Sequence, residues 1–153
     1  MQFIESGGSI EAFSLARDVL MPYFFDFDST DRILRCRLEG KITDEILKEY
    51  YRAAGKYAAL TDPRASVLDM SPVTSMEVSP QTIRELANSP PAIADPSRPR
   101  CIIAPSPQVF GMARMFELQG QDTRPNLHVV RTQREAWAIL GLSKPKFEAI
   151  EIE

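Results

Sequence analysis

Between Tyr23 and Leu38 the chain alternates apolar and polar residues twice over, and no later segment does so for as long. YFFDFD sets aromatic against acidic residues, the signature of a half-buried strand. ILRCRL repeats the pattern, with Leu34, Cys36 and Leu38 on one face and Arg35 and Arg37, followed by Glu39, on the other. The polar turn Ser29-Thr30-Asp31 between them predicts an antiparallel hairpin that ends at Gly40.

Past the hairpin the period changes. Thr43 is placed to cap a helix, with Asp44 and Glu45 where the helix dipole favours negative charge. Leu47, Tyr50, Ala54, Tyr57 and Ala58 trace its buried stripe, and Asp62-Pro63 stops it. ASVLDM reads as a strand buried on both faces. Ser79-Pro80-Gln81 and Ser106-Pro107-Gln108 are two alike helix starts, each with serine at the cap and proline at the first helical position. The first of these helices ends at Asn88-Ser89-Pro90-Pro91. A proline-rich loop to Pro99 follows, expected to be stiff and exposed. CIIA is a further buried strand, the second Ser-Pro-Gln helix runs to about Gln119, and NLHVV is the last strand. Thr132 and Glu135 form a capping box for a final helix closed by Gly141. The order is β-β-α-β-α-β-α-β-α, which predicts an α/β domain with a mostly parallel sheet and one antiparallel edge strand.

The expected organisation is an N-terminal extension over residues 1–20 (a short helix capped by Ser9 or an appendage), one domain over 21–142, and a polar tail over 143–153 that the pattern does not place. At 153 residues the chain is long enough to bury its own core. Its net charge of -3, spread in both signs, offers no basic stripe for a phosphate backbone, so nucleic acid is not an expected partner. Cys36 and Cys101 sit in apolar runs and are expected to be buried, reduced thiols. The longest apolar run is too short to span a bilayer, and MQFIESGGSIEAF lacks the pattern of a signal peptide. These features point to the cytoplasm.

Four strings, DRILRCRLEGKITDEIL, VLDMSPVTSMEVSPQTI, APSPQVFGMARMF and VVRTQREAWAIL, together with the element order, resemble the SpoIIAA-like or STAS domains. The match is to their stand-alone bacterial, STAS/SEC14-like branch. The resemblance implies a non-catalytic regulatory or scaffold module. In the family's anti-sigma-factor antagonists a strand ends Asp-Leu-Ser, and a loop then leads to a helix start with a phosphorylated serine. Here Asp69-Met70-Ser71 matches the strand end, Glu77 stands in for the family aspartate, and Ser79 falls on the second serine. Val78 and Pro80 depart from the pattern. Asp69, Ser71 and Glu77 are therefore candidates for a switch loop, and Ser79 for either a phosphosite or a plain helix cap.

Catalytic and metal-binding patterns are not evident. His128 is the single histidine, the cysteines have no CxxC spacing, and no phosphate-binding glycine loop or nucleophile elbow occurs. No catalytic residue, metal or cofactor is expected. Asp69 ends a parallel strand, where open α/β sheets bind ligands; its alternative roles are to shape the following turn or to act with Glu77 in an enzyme site. The helix after Ser106 is apolar around most of its circumference, which marks Phe110, Met112, Met115 and Phe116 as candidates for an interface or a ligand site. The expected partner is a protein, a small apolar molecule or a second copy of the chain. A dry apolar cavity under that helix would favour a carrier of a small apolar ligand. A filled core with an exposed apolar face would favour a protein-binding module.

Overall fold

The computed structural model describes residues 22–150, so the helix expected within residues 1–20 lies outside the described part. The first half of the chain forms β1 (Tyr23–Asp28), β2 (Ile33–Leu38), β3 (Gly40–Thr43), α1 (Asp44–Thr61), β4 (Ala65–Asp69) and β5 (Val73–Glu77). The second half forms α2 (Pro80–Ala87), β6 (Arg100–Ile103), α3 (Pro107–Gln119), β7 (Leu127–Val130), α4 (Gln133–Leu140) and β8 (Glu148–Ala149). The fold is the expected α/β architecture, with a mostly parallel sheet and an antiparallel edge.

The hairpin pairs Tyr23 with Leu38 and Asp28 with Ile33. Its turn closes on the Asp28 carboxylate, which accepts the Asp31 amide at 2.9 Å. Every helix starts where its cap residue allows. The hydroxyls of Thr43, Ser79, Ser106 and Thr132 accept amides from Ile46, Thr82, Val109 and Glu135. Stabilisation by each such cap is about 1 kcal/mol. α1 stops at Asp62, which turns left-handed at φ 47° and donates its amide to the Ala58 carbonyl at 2.8 Å.

The sheet order is β7-β6-β4-β2-β1-β8. From β2 the parallel strands are added in one direction only, so right-handed crossovers put α1, α2 and α3 all on one face. The other face is left to α4, which follows the last parallel strand. The sheet thus separates two unlike layers.

Three short strands escaped the sequence pattern. β3 and β5 pair with each other in parallel as a separate two-stranded sheet. Gly40 therefore opens a strand at φ 75°, although its sequence position suggested the end of the hairpin. β5 was hidden because VTSME is half exposed and bracketed by prolines. β8 lies in the unplaced tail and pairs antiparallel with β1, Ala149 opposite Asp26. The Asp28 carboxylate also accepts the Lys146 amide at 2.7 Å, which pins this segment to the sheet edge. The proline-rich loop is not wholly exposed, because Ile93 is buried beside α1. Both cysteines are free and buried.

Candidate ligand cavity

Strand register decides which side chains face α1, α2 and α3. At the amino end of the parallel strands the row is Phe27, Leu34, Ser66, Arg100 and Leu127. The next row, toward the carboxyl end, is Phe25, Cys36, Leu68, Ile102 and Val129. The first row contains a hydroxyl and a guanidinium; the second is apolar.

Above these rows the three helices do not close completely, and a cavity of about 120 Å³ remains. Ala54 of α1 and Ala113 of α3 both line the cavity and are buried, so larger side chains at either position would fill it. Met112 and Phe116 of α3, Ile83 and Leu86 of α2, and Tyr50 of α1 complete most of the apolar wall. The volume is close to that of apolar protein cavities that stay dry and admit a benzene-sized guest, about 150 Å³.

One end of the cavity is polar. Arg100 and Arg124 line it and are only 6% and 5% exposed. Arg100 donates to the carbonyls of Pro96, Arg98, Ile93 and Asp95. Arg124 donates to the carbonyls of Ala87 and Ser89, to the Thr123 hydroxyl and to the Tyr51 hydroxyl. Tyr51 in turn donates to the Pro90 carbonyl, so this network ties the proline-rich loop to α1. No carboxylate among the described residues forms an ion pair with either guanidinium. Burial lowers the pKa of both arginines; for Arg100 the nearby Arg124 charge lowers it further, while Asp95 and Tyr51 act in the opposite sense. The Arg124 charge also lies 4.9 Å above the Phe116 ring, an attraction that needs no anion. Two cavity hydroxyls, those of Tyr50 and Ser66, have no side-chain hydrogen-bond partner among the described residues. Burial raises the Tyr50 phenol far above its ordinary pKa, so it stays protonated and can donate.

The residues singled out from sequence fall into three places. Met112 and Phe116 line the cavity. Phe110 and Met115 pack partly buried against the same core, and the Phe110 ring carries the Arg131 guanidinium at 4.0 Å. α3 therefore uses more of its circumference than a sheet alone could cover, because α2 flanks it on a second side. Leu118 is the apolar residue of α3 left in solvent, 56% exposed. Asp69 lies on the opposite face of the sheet. Its carboxylate accepts the Ser71 amide at 3.0 Å and lies 3.2 Å from Nε of Arg37, while Ser71 is exposed. Glu77 is on the small sheet, 3.6 Å from Lys41. Asp69 and Glu77 thus have separate cations. Ser79 caps α2; its hydroxyl accepts the Thr82 amide, and its own amide donates to Asp44 at 2.8 Å. Cys101 stands next to His128 across β6 and β7, but burial pushes its thiol up to about 12 and His128 bonds Asn126 instead.

Arg100, Arg124, Tyr50, Tyr51 and Ser66 were not anticipated. Arg100 carried a signal, since a lone arginine directly before the run CIIA needs a buried acceptor. Arg124, in a loop, carried none.

In structure the protein is similar to the anti-sigma factor antagonist SpoIIAA in its unphosphorylated form. The TM-score is 0.52 at 11% identity, over 79% of this chain and 99% of that one. It is also similar to the Bacillus cell fate determinant SpoIIAA in the phosphorylated form, with a TM-score of 0.47 at 14% identity, over 75% of this chain and 96% of that one. No family model and no curated protein matches the chain. The fold is SpoIIAA-like, that of the STAS domains. No helix of the described residues is long and apolar enough to cross a membrane, and none of their His, Cys, Asp and Glu side chains cluster as a metal site would require.

Proposed function

We propose that this chain is a non-catalytic binding module of SpoIIAA-like fold that holds a small apolar molecule between the sheet and α1, α2 and α3. The observation that carries this reading is the cavity of about 120 Å³ beneath α3, kept open by Ala54 and Ala113. Protein interiors are otherwise close-packed, and a void of this size costs stability unless something occupies it. Calorimetric titration of the full chain with 1-octanol tests the proposal. Saturable one-to-one binding that Ala113→Leu weakens at least tenfold is the expected result. Binding unaffected by that substitution would place the alcohol elsewhere and overturn the reading.

A second reading keeps the module in regulation through a protein partner, as the likeness in fold to SpoIIAA, an anti-sigma factor antagonist, suggests. The observation in its favour is the half-exposed segment from Ser71 to Glu77, with Ser71, Thr74 and Glu77 in solvent, which leads into the Ser79 cap. Ser71, Glu77 and Ser79 would then form the contact surface, with the buried Asp69 carboxylate holding the turn at Ser71. The two readings meet at β5, whose Met76 side chain is buried and lines the cavity while Thr74 and Glu77 are exposed.

A further inference from the structure

We infer that the cavity is built for an amphiphile, an apolar body with one acidic head, and that the head lies at the Ser66–Arg100–Arg124 end. This rests on the apolar-ligand reading above and specifies which ligand chemistry it takes. Three observations converge on it. The cavity is graded: the sheet row at its amino end presents Ser66 beside Arg100, and the next row is wholly apolar. Arg124 joins the polar end from the loop before β7.

Second, two guanidiniums are buried there with their N–H groups on neutral oxygens and with no carboxylate in ion-pair range among the described residues. Carbonyl oxygens satisfy hydrogen bonds but do not neutralise charge. The Asp95 carboxylate, half exposed and paired with Arg98, offsets part of the Arg100 charge from outside ion-pair range, and the two like charges still leave a positive potential that an acidic head would cancel. A neutral or cationic head would not relieve it. Third, the Ser66 hydroxyl opens to the cavity without a side-chain partner and can donate to that head, and the Tyr50 hydroxyl is likewise free. The rest of the wall, with Leu86, Met112 and Phe116, suits an alkyl or aromatic body.

The test compares two probes with the same body, sodium octanoate and 1-octanol, titrated calorimetrically into the full chain at pH 7.5. Octanoate is expected to bind about tenfold or more tightly than octanol, the usual scale of a hydrogen-bonded charge contact. Ser66→Ala should weaken octanoate several-fold and leave octanol unchanged. Octanol binding as tightly as octanoate would overturn the acidic-head inference while the apolar cavity reading stands. Preference for octanoate with no response to Ser66→Ala would overturn the placement of the head. Binding of neither probe would overturn both this inference and the reading beneath it.

Discussion

On the α4 side of the sheet Arg35 meets Asp26 at 2.6 Å and Arg37 lies 3.2 Å from Asp69. On the α1–α3 side Arg100 and Arg124 are more deeply buried and meet carbonyls and hydroxyls, with no carboxylate in ion-pair range among the described residues. The contrast extends to packing. On the α4 side Ala136 is fully buried among Ile33, Val67, Ile103 and Leu140, and Phe147 from the tail covers the Arg35 guanidinium at 4.0 Å. On the other side alanines face a void. The α4 layer sets its buried charges against carboxylates, although Nε of Arg37 lacks a hydrogen-bond partner; the other layer leaves its guanidiniums without ion pairs and its volume open. The layer with unpaired guanidiniums and an open volume is where a ligand would matter.

The largest effect that sharpens this contrast should come from the closed side. The Asp26 and Arg35 side chains are 9% and 11% exposed, so Asp26→Ala strands a buried guanidinium. The expected loss is about 3–5 kcal/mol, measured as a lower urea midpoint with an unchanged slope. A loss below about 1 kcal/mol would mean that water already reaches Arg35, and the supposed difference in closure would disappear.

A pair of matched substitutions comes next. Ala136→Leu forces extra volume into the packed side and should cost about 1–3 kcal/mol. Ala113→Leu adds the same atoms beside the cavity and should be neutral or stabilising by up to about 2 kcal/mol. Thermal melts of both variants beside the parent decide the matter. Equal destabilisation by the two would show that the faces are packed alike.

The division between faces follows from topology, and topology was only partly legible in the chain. The hairpin, the four caps and the order of the long elements were readable because each leaves a local mark: alternation at ILRCRL, serine before proline at Ser79 and Ser106, and the Thr132–Glu135 box. β3, β5 and β8 were not: each is short and half or fully exposed, so it lacks the apolar run that marks the equally short β6 and β7. The cavity was half legible. The apolar circumference of α3 drew attention to Met112 and Phe116, but a void is a property of how three helices and a sheet fit together. No single segment encodes it. The buried arginines belong to the same class: most of their partners are backbone carbonyls of α2 and the loop after it, joined by the Tyr51 and Thr123 hydroxyls, and carbonyls have no sequence signature.

The smallest effect concerns Ser79, at the border between the open layer and the exposed β5 edge. As a helix cap its loss in Ser79→Ala should cost about 1 kcal/mol, about as much as Ser106→Ala at the matching start of α3. The two sites differ in charge. Asp44 accepts the Ser79 amide, which holds its carboxyl below the usual range, and Thr82 and Ser79 hydrogen bonds add to the shift. A group lowered in this way adds stability above its unfolded pKa and loses it as the pH falls through its folded value. A second negative group at position 79 would stand against that carboxylate, and a helix N-terminus compensates only part of the repulsion. Ser79→Asp and Ser79→Asn both keep a capping oxygen, so their difference isolates the charge. The carboxylate variant is expected to melt lower than the amide variant at pH 7, and the gap should close as the pH falls into the carboxylate range. A phosphoryl group would meet the same repulsion more strongly, so a phosphorylated Ser79 would loosen the start of α2 and would not reinforce it. If Ser79→Asp melts above Ser79→Asn at neutral pH, the dipole outweighs Asp44, and a phosphate there would tighten the helix instead.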